Sequence, residues 1–411
     1  ASIAYFDFDG MVDVRVISNK ERVNSVRVRP LSYKITPDCV GDTVTFSLSR
    51  PRNLSVEVNG DIFHNLHLFA NPIDKFRPSD KEIQRALKKK KGSNLIYFGP
   101  GVHNLPNDTL FVPSGTTVYI DGGARVYGNI FTEGAHDVNI FGRGEVHPDG
   151  RGAGVWVRRS KNVRIDGIVV SQLPIGQCDS VELTNVKSIS YYGWGDGMDV
   201  FSSSNVILDG VFCRNSDDCA AVYASTQGFK GGSNNVLVKN ATLWADVAHP
   251  INIGGHGDPN GMDTVQNVTF RNIDILDQAE KQIDYQGCLA INPGDNTLVR
   301  NITFENIRIE DFRNGQLVNF RISFNPKYCV STGRGIQNVL VKDVTYNGSG
   351  ENLSIIAGYD ENHKISGIRF VNLVVNGRKI TDDMPGKPKW YKTGDMAGIF
   401  VGEHVENLSF E

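Results

Sequence analysis

Short runs in which apolar and polar residues alternate cover most of the chain, and this pattern predicts a protein built almost wholly from β-strands. In the first seventy residues such runs lie at 12–16, 43–48 and 54–58, and Pro, Gly, Asn and Asp residues separate them. Alternation of this kind is typical of strands with one face on a core and one in water. We therefore expect a small antiparallel β-sandwich over residues 1–76.

One short stretch has the period of a helix instead. Ser79 with Glu82 three residues later forms a capping-box sequence, and the apolar residues that follow fall on one helical face before Gly92. The pattern predicts a helix over residues 79–91. Lys88–Lys91, the one basic run, would be the solvated end of this helix, where cations are favourable. Such a helix is well placed to close the first coil of the domain that follows.

From residue 95 onward one phrase recurs: Asn or Asp, an aliphatic residue, then alternation to a further aliphatic pair. The copies begin at Asp137, Asn162, Asn185, Asn205, Asn235, Asn267, Asn301, Asn338 and, more loosely, Ser366. Their spacing runs from 20 to 37 residues. A repeat of this length without helical periodicity is typical of stacked coils of strands, and the leucines of a leucine-rich horseshoe are missing. We expect a right-handed parallel β-helix over residues 77–411.

Composition narrows the classes of partner. The 411 residues carry 43 basic and 46 acidic side chains, for a net charge of −3. This balance lacks the excess of positive charge that is typical of a nucleic-acid-binding protein. No apolar run is long enough to span a bilayer. We expect a monomer that binds neither nucleic acid nor membrane, and a secreted or periplasmic protein whose signal peptide has been removed.

The six cysteines lack the spacing of a zinc or redox site, and we expect most of them to be buried apolar residues. They are Cys39, Cys178, Cys213, Cys219, Cys288 and Cys329. Eight Asn-x-Ser/Thr sequons would suit a glycosylated secreted protein. They begin at Asn53, Asn107, Asn240, Asn267, Asn301, Asn347, Asn352 and Asn407. Asn267 and Asn301 belong to the repeat, however, where Asn has a structural use, so the sequons do not establish glycosylation.

Three carboxylates recur in register with the repeat, at Asp196, Asp217 and Asp218. Because 21 residues separate Asp196 from Asp217, close to the 20 between Asn185 and Asn205, we expect them at equivalent corners of adjacent coils. Glycosidic hydrolysis needs such a cluster, with one acid for the leaving oxygen and carboxylates to activate water. It needs no metal and no cofactor. Asp residues also occur at β-turns for purely structural reasons, and spacing alone does not decide between the two.

These residues resemble motifs of the polygalacturonase clan of glycoside hydrolases. Residues 195–200 are similar to its N-T-D motif, with Gly195 in place of threonine, and 215–219 to its D-D motif. Residues 248–254 are similar to its G-H-G motif and the strand that follows. The resemblance implies that Asp217 is the general acid, that Asp196 and Asp218 are bases in a single inverting displacement, and that His249 supports the site.

His256 is the competing histidine, since Gly255 and Gly257 match the letters G-H-G better but no aliphatic strand follows. The clan's fourth motif, R-I-K, binds the uronate carboxylate. Where its strand should fall, Gln286–Asn292 offers no arginine or lysine, and Lys281 is the nearest cation in sequence. The absence of this clamp predicts a neutral glycan. The chain is most similar in organisation to the dextranase and isopullulanase family of the clan, which implies an α-glucan substrate.

Aromatic residues near the carboxylates could form platforms for sugar rings; core packing is the commoner role for any single one, but their clustering beside the carboxylates favours a glycan cleft. They are Tyr191, Tyr192, Trp194, Tyr223 and Trp244. Three alternatives stay open: a polygalacturonase-like pectin hydrolase, a lyase or epimerase that acts on uronates, and a glycan-binding β-helix without catalysis. A lyase would need a cation beside the carboxylates, and a pure binder has no use for three carboxylates at one corner.

Overall fold

A computed structural model describes residues 1–19, 22–88, 92–148, 150–349 and 352–411 of the chain. The chain divides into two compact units, Ala1–Arg77 and Pro78–Glu411. No helix in these ranges is both long enough and apolar enough to cross a membrane.

The first unit consists of two small sheets that enclose an apolar core. Its strands are β1 (Ser2–Phe8), β2 (Val12–Ile17), β3 (Val26–Arg29), β4 (Asp38–Val40), β5 (Thr43–Leu48), β6 (Arg52–Val58) and β7 (Leu66–Pro72). One sheet has the order β1-β7-β6-β3 and the other β2-β5-β4. Contrary to the antiparallel arrangement expected from the sequence, β1 runs parallel to β7. The two strands are far apart in the chain, so no tight hairpin imposes antiparallel pairing on them.

The helix predicted after the sandwich is present as α1 (Asp80–Leu87). Ser79 accepts a hydrogen bond from the backbone N–H of Glu82, whose side chain accepts one from the N–H of Ser79. This reciprocal pair satisfies two donors of the first turn. The predicted end of the helix at Lys89–Lys91 lies outside the described residues. Ile83 is the buried residue of α1.

The second unit is a right-handed parallel β-helix. Its strands are β8 (Leu95–Phe98), β9 (Gly101–Phe111), β10 (Thr117–Ile120), β11 (Ala124–Glu133), β12 (His136–Gly142), β13 (Glu145–His147), β14 (Val155–Arg158), β15 (Lys161–Asp166), β16 (Val169–Val170), β17 (Ile175–Gly176), β18 (Asp179–Thr184), β19 (Lys187–Ile189), β20 (Met198–Phe201), β21 (Ser204–Asp209), β22 (Phe212–Asn215), β23 (Ala220–Tyr223), β24 (Ser233–Lys239), β25 (Thr242–Ala245), β26 (Ile251–Ile253), β27 (Thr264–Gln278), β28 (Leu289–Ile291), β29 (Leu298–Ile309), β30 (Val318–Arg321), β31 (Gly335–Tyr346), β32 (Ser354–Ala357), β33 (Ile365–Val375), β34 (Arg378–Ile380), β35 (Ile399–Val401) and β36 (Val405–Phe410). Short 3-10 turns cover Leu31–Tyr33, Ile283–Tyr285 and Thr393–Ala397.

Each coil of the β-helix contributes strands to three parallel faces. The first face contains β12, β15, β18, β21 and β24, and the second contains β13, β16, β19, β22 and β25. The third face contains β14, β17, β20, β23, β26, β28, β30 and β32. Aliphatic side chains from all three faces fill the interior, and Phe270, Phe304, Phe320 and Phe370 stack from coil to coil. This core fixes which residues point outward on each face.

At two of the three corners of the β-helix, many of the coils carry asparagine in the left-handed conformation. At the first corner, Asn301 donates to Asn267 and Asn338 to Asn301. At the second, Asn272 donates to Asn240 and Asn306 to Asn272. Asparagine tolerates this conformation better than most residues. The sequons at Asn240, Asn267 and Asn301 are therefore parts of the structural ladders.

All six cysteines lie within the described ranges and are free thiols. Five are buried, as expected, and Cys39 is exposed. Burial raises the pKa of the Cys219 thiol well above its ordinary value, which suits a core residue and not a nucleophile.

Candidate active site

The three carboxylates lie at the third corner, where each coil passes from the second face to the third. Asp196 comes just before β20, Asp217 and Asp218 lie between β22 and β23, and His249 comes just before β26. These positions belong to three consecutive coils. The Asp residues thus avoid the strict alternation of a strand, and neighbouring residues can share one side of the fold.

The register of the third face brings the carboxylates together. Met198 pairs with Ala220 and Val200 with Val222, an offset of 22 residues that places Asp196 level with Asp218. One oxygen from each of Asp196, Asp217 and Asp218 lies within 4.8 Å of the other two. Three like charges at this distance cannot all be ionised without a large cost.

Side chains and backbone groups hold the loop of Asp196 in place. The Asn215 side-chain amide donates to the carbonyl oxygen of Asp196, at 3.1 Å, and to the hydroxyls of Ser188 and Ser190. Gly195 stands where the clan has threonine, and a Cβ atom there would collide with the hydroxyls of Ser190 and Ser216. The glycine is therefore a requirement of this packing.

Asp218 is buried and accepts four hydrogen bonds. Its Oδ1 receives the backbone N–H of His249 at 3.0 Å and the Nδ1 of the same residue at 2.7 Å. Its Oδ2 receives the Tyr223 hydroxyl at 2.5 Å and the Asn252 amide at 2.8 Å. Burial alone would raise the pKa of Asp218, but the charge and hydrogen bonds of His249, followed by those of Tyr223 and Asn252, hold it below the ordinary value.

The pKa values of the other two carboxylates shift in the opposite direction. Burial, followed by the negative charge of Asp218, raises the pKa of Asp217 to about 7. Burial, followed by the charges of Asp217 and Asp218, raises the pKa of Asp196 well above its ordinary value. The negative charge of Asp217 thus disfavours the ionised form of Asp196. At neutral pH the site can hold one proton beside a fixed negative charge.

A fourth carboxyl lies beneath this group. Asp199 points outward from β20 and is nearly fully buried, and among the described residues its Oδ1 has no hydrogen-bond partner. Burial, followed by the charges of Asp196 and Asp218, raises the pKa of Asp199 well above its ordinary value. Burial at this depth therefore favours the protonated form of Asp199, although the backbone N–H of Ala221 donates a hydrogen bond to its carboxyl group.

The structure places His249, and not His256, against the carboxylates. The Nδ1 of His249 donates to Asp218, and its Nε2 is buried without a partner in the described part of the chain. The His256 ring instead packs edge-on against the Tyr223 ring, with centroids 5.0 Å apart.

The aromatic residues proposed as sugar platforms divide into two groups. Trp194 is 65% exposed and Tyr191 is 91% exposed, beside the Asp196 loop. Tyr192 is half-buried and donates its hydroxyl to the carbonyl oxygen of Gly152. Tyr223 and Trp244 cannot stack on a sugar, contrary to expectation. Tyr223 is buried against Phe201, and Trp244 is fully buried beneath the Arg214 guanidinium.

The segment that replaces the fourth motif presents amides. Gln286 is fully buried and donates to the carbonyl oxygen of Glu280, and Asn292 donates to the Asn319 side chain at 3.2 Å. Ala290 points outward between them. Lys281 is exposed, and in the described part of the chain no carboxylate of the site lies within ion-pair distance of it.

Two further cations, which the sequence analysis did not identify, lie near this region. Arg321 follows Asn292 in register on the next coil, and its guanidinium binds the carboxylate and carbonyl oxygens of Asp284. Lys327 is exposed, lies over the Tyr328 ring and donates to Gln282 at 3.3 Å. The negative charge of Asp217 contributes to the raised pKa of Lys327, after hydrogen bonding to Tyr328.

Tyr285 and Asn252 were also missed. The Tyr285 ring packs edge-on against His249, with centroids 4.4 Å apart, and stacks on Tyr328 at 5.0 Å. The sequence contains a signal that could have identified Asn252, because it is an amide inside the aliphatic strand β26. It contains no such signal for Tyr285, which lies in a loop whose path the sequence does not determine.

The comparisons with known proteins agree with this architecture. A polygalacturonase of Juniperus ashei is 26% identical over 295 residues, which cover 64% of this chain and 54% of that protein. A probable endopolygalacturonase D of Emericella nidulans is 26% identical over 311 residues, covering 67% and 55%. The chain thus spans about half the length of the curated relatives that it matches.

Among solved structures, Dex49A from Penicillium minioluteum superposes with a TM-score of 0.61 at 14% identity, covering 99% of this chain and 83% of that one. The family 28 exopolygalacturonase of Yersinia enterocolitica gives a TM-score of 0.53 at 13% identity, covering 89% and 85%. Both likenesses show the β-helix fold. The family model of glycosyl hydrolases family 28 matches residues 155–384, more than half of the chain. The chain belongs to glycosyl hydrolases family 28.

Proposed function

We propose that the chain hydrolyses glycosidic bonds in a polysaccharide, and that Asp217 is its general acid. This proposal rests on the opposite pKa shifts of two neighbouring carboxyl groups. Asp218 is held ionised by four donors, while the pKa of Asp217 is raised to about 7. Pairs of carboxyls whose environments separate their pKa values are the mark of acid/base catalysis.

The reaction follows from these protonation states. The oxygen of a water molecule forms a bond to the anomeric carbon, and the bond from that carbon to the leaving oxygen breaks. Asp217 gives its proton to the leaving oxygen, and an ionised carboxylate at the site takes the proton of the water. Both proton transfers use carboxyl groups of the chain, so this route needs no cofactor.

Inversion at the anomeric carbon is part of the proposal and rests on the family. The carboxylate oxygens lie within 4.8 Å of one another, closer than the roughly 6.5–9.5 Å common for inverting pairs. Spacing taken alone would favour retention. NMR of the first product decides the question, and initial release of the retained anomer would contradict the single displacement.

The substrate that we propose is a neutral α-glucan of the dextran or pullulan kind. The outward positions beyond the carboxylates carry Asn252, Ala290, Asn292 and Asn319, and among these four Asn292 alone is partly exposed, so the group offered to a sugar there is an amide. The Arg321 guanidinium is already engaged by Asp284, so it is not free to pair with a uronate bound there. We also propose that the protein acts as a secreted monomer.

A polygalacturonan is the second candidate, and two observations favour it. The curated relatives described above are polygalacturonases, and Lys327 lies near enough to Asp217 for their charges to interact. A panel of dextran, pullulan and polygalacturonate, assayed for new reducing ends, separates the candidates. An unsaturated product would identify a lyase, and binding without any product would identify a non-catalytic protein.

A further inference from the structure

The position of Asp218 distinguishes it from the other two carboxylates. A carboxylate has about four acceptor sites, and the four bonds from His249, Tyr223 and Asn252 fill those of Asp218. Its side chain is 2% exposed. Asp218 therefore has no free acceptor site with which to hold and deprotonate a water molecule.

The donors that surround Asp218 are themselves fixed. Asn252 also donates to the Tyr223 hydroxyl, at 3.0 Å, so the two side chains and the carboxylate close a ring of hydrogen bonds. The Tyr223 ring stacks on Phe201, with centroids 5.9 Å apart and planes at 9°. None of these groups can turn away to admit water without leaving a buried polar atom without a partner, which is costly.

Asp196 is the contrasting case. Its carboxylate is partly exposed, and in the described ranges the hydrogen bonds to it come from two backbone N–H groups, those of Asp218 and of Asp196 itself. Asn215 holds the backbone of Asp196 and not its carboxylate. Because a carboxylate has about four acceptor sites, acceptor sites remain for a water molecule beside Asp217.

We infer that Asp218 is a fixed anion and not a base, that Tyr223 and Asn252 are positioning residues that hold it so, and that Asp196 alone takes the proton of water. This inference rests on the proposed hydrolysis, and it changes the role that the clan resemblance implied for Asp218. Asp218 acts by its charge, which favours the protonated form of Asp217.

Several titratable groups face Asp218 from the surrounding coils. They are Asp196 and Asp199 from the preceding coil, Asp217 and Tyr223 from its own coil, and His249, His256 and Tyr285 from the following loops. Burial favours the protonated form of Asp199. The strongest opposing charge on Asp218 is thus that of its direct partner, His249.

Chemical rescue separates the two candidate bases. Asp196→Ala and Asp218→Asn are assayed with sodium azide on a glycan that the unmodified protein cleaves. In Asp196→Ala, azide nitrogen can bond to the anomeric carbon while the leaving oxygen takes the proton of Asp217, and we expect a glycosyl azide with at least tenfold recovery of cleavage. We expect no azide product from Asp218→Asn. Rescue of Asp218→Asn, or no rescue of Asp196→Ala, would overturn the inference.

A titration without substrate tests the positioning residues independently of the proposed function. Carboxyl carbons of aspartate labelled with 13C are followed by NMR against pH in the folded protein. Each bond removed, by Tyr223→Phe or Asn252→Ala, should raise the pKa of Asp218 and make it a roughly tenfold stronger proton acceptor. Phe201→Leu, which removes packing but no donor, is the matched control. An Asp218 titration that neither substitution moves, or that Phe201→Leu moves equally, would show that Tyr223 and Asn252 do not hold the anion. Because no glycan is used, this result stands even if the proposed hydrolysis fails.

Discussion

Two adjacent aspartates acquire opposite chemistry from their surroundings. Asp218 turns towards His249, Tyr223 and Asn252 and is stabilised as an anion, whereas Asp217 accepts a hydrogen bond, at 3.1 Å, from the backbone N–H of Asp218. One strong set of donors thus fixes one charge, and burial together with that charge raises the pKa of its neighbour. The acid and the anion are made by the same hydrogen-bond network.

Asp217→Asn should abolish hydrolysis and leave the fold unchanged. An amide cannot give a proton to the leaving oxygen, and general acid catalysis contributes roughly 10²–10⁴-fold. Initial rates of reducing-end formation measure the loss, and circular dichroism verifies the fold. Asp179→Asn, at an exposed carboxylate that accepts a bond from Asn205, is the control and should keep full activity. Turnover of Asp217→Asn close to that of the control would refute the assignment of the acid.

The rate should decline as pH rises through about 7, because the reaction needs protonated Asp217 and its pKa lies there. Glu280 is buried, accepts the N–H groups of Ala248 and Gln282, and its negative charge contributes to the raised pKa of Asp217. Glu280→Gln removes that charge, so ionised Asp217 becomes easier to form and its pKa falls. The alkaline limb of kcat/KM should therefore move to lower pH, by up to about one pH unit.

Asp284→Asn is the control for this shift, since Asp284 is an exposed carboxylate of the same loop. It should leave the alkaline limb in place. A limb that Glu280→Gln leaves unmoved, or moves to higher pH, would exclude the proposed effect of the Glu280 charge.

At the residue scale, the sequence predicted the carboxylates but not most of their partners. Asp196, Asp217 and Asp218 could be found because they recur with the coil. His249 could be preferred to His256 because an aliphatic strand follows it. Tyr285 could not be found, because its contact with His249 depends on the path of a loop. Tyr223 was identified with a different role, since the sequence does not show that it faces Asp218 and not a sugar.

At the scale of the elements, the three corners of a coil have separate tasks. Asparagines in the left-handed conformation form ladders at two corners, and the third carries the three clustered carboxylates. The ladders explain an error in the repeat analysis. Asn205 lies at the first corner, beside Asp179, whereas Asn185 belongs to the second, so their spacing of 20 residues is not a coil. The true offset at the site is 22 residues, which sets Asp196 level with Asp218 and not with Asp217.

Asn272→Ala should test the worth of one ladder position. Asn272 has a φ of 57°, donates to Asn240 at 2.7 Å and accepts from Asn306 at 3.3 Å. Alanine loses both bonds, at roughly 0.5–1.5 kcal/mol each, and pays about 1–2 kcal/mol for the left-handed conformation. We expect a loss of about 2–4 kcal/mol in the free energy of unfolding, measured with urea.

Asn272→Gly is the matched control, because glycine adopts a positive φ without steric cost. It should lose only the part due to the hydrogen bonds. An equal loss in the two variants would mean that the left-handed conformation contributes nothing at this corner.

At the scale of the whole β-helix, stacking determines what a bound glycan meets. Coils lie about 4.8 Å apart, so a glycan that crosses the third face passes from the Asp218 coil to the coils of Asn252, Asn292 and Arg321 in turn. The fold could be predicted from the repeat, and the missing fourth motif from the clan resemblance. That Arg321 and Lys327 lie near the site could not be predicted, since the sequence does not show which later coil reaches the site.

The charge of the substrate should decide which glycan is cleaved. The amide of Asn292 cannot neutralise a uronate, and a buried carboxylate without a cation costs a few kcal/mol, or roughly a hundredfold in binding. Dextran or pullulan should therefore be cleaved at least about a hundredfold better than polygalacturonate in kcat/KM.

Lys281→Ala and Lys327→Ala should leave cleavage of the glucan within about twofold, because neither cation has a partner on a neutral substrate. Asn292→Ala serves as the comparison variant and should raise the KM for the glucan, since an amide on the third face is lost. Preferred cleavage of polygalacturonate that disappears in Lys281→Ala or Lys327→Ala would show that a cation from a loop replaces the missing clamp, and the neutral-glucan proposal would then be wrong.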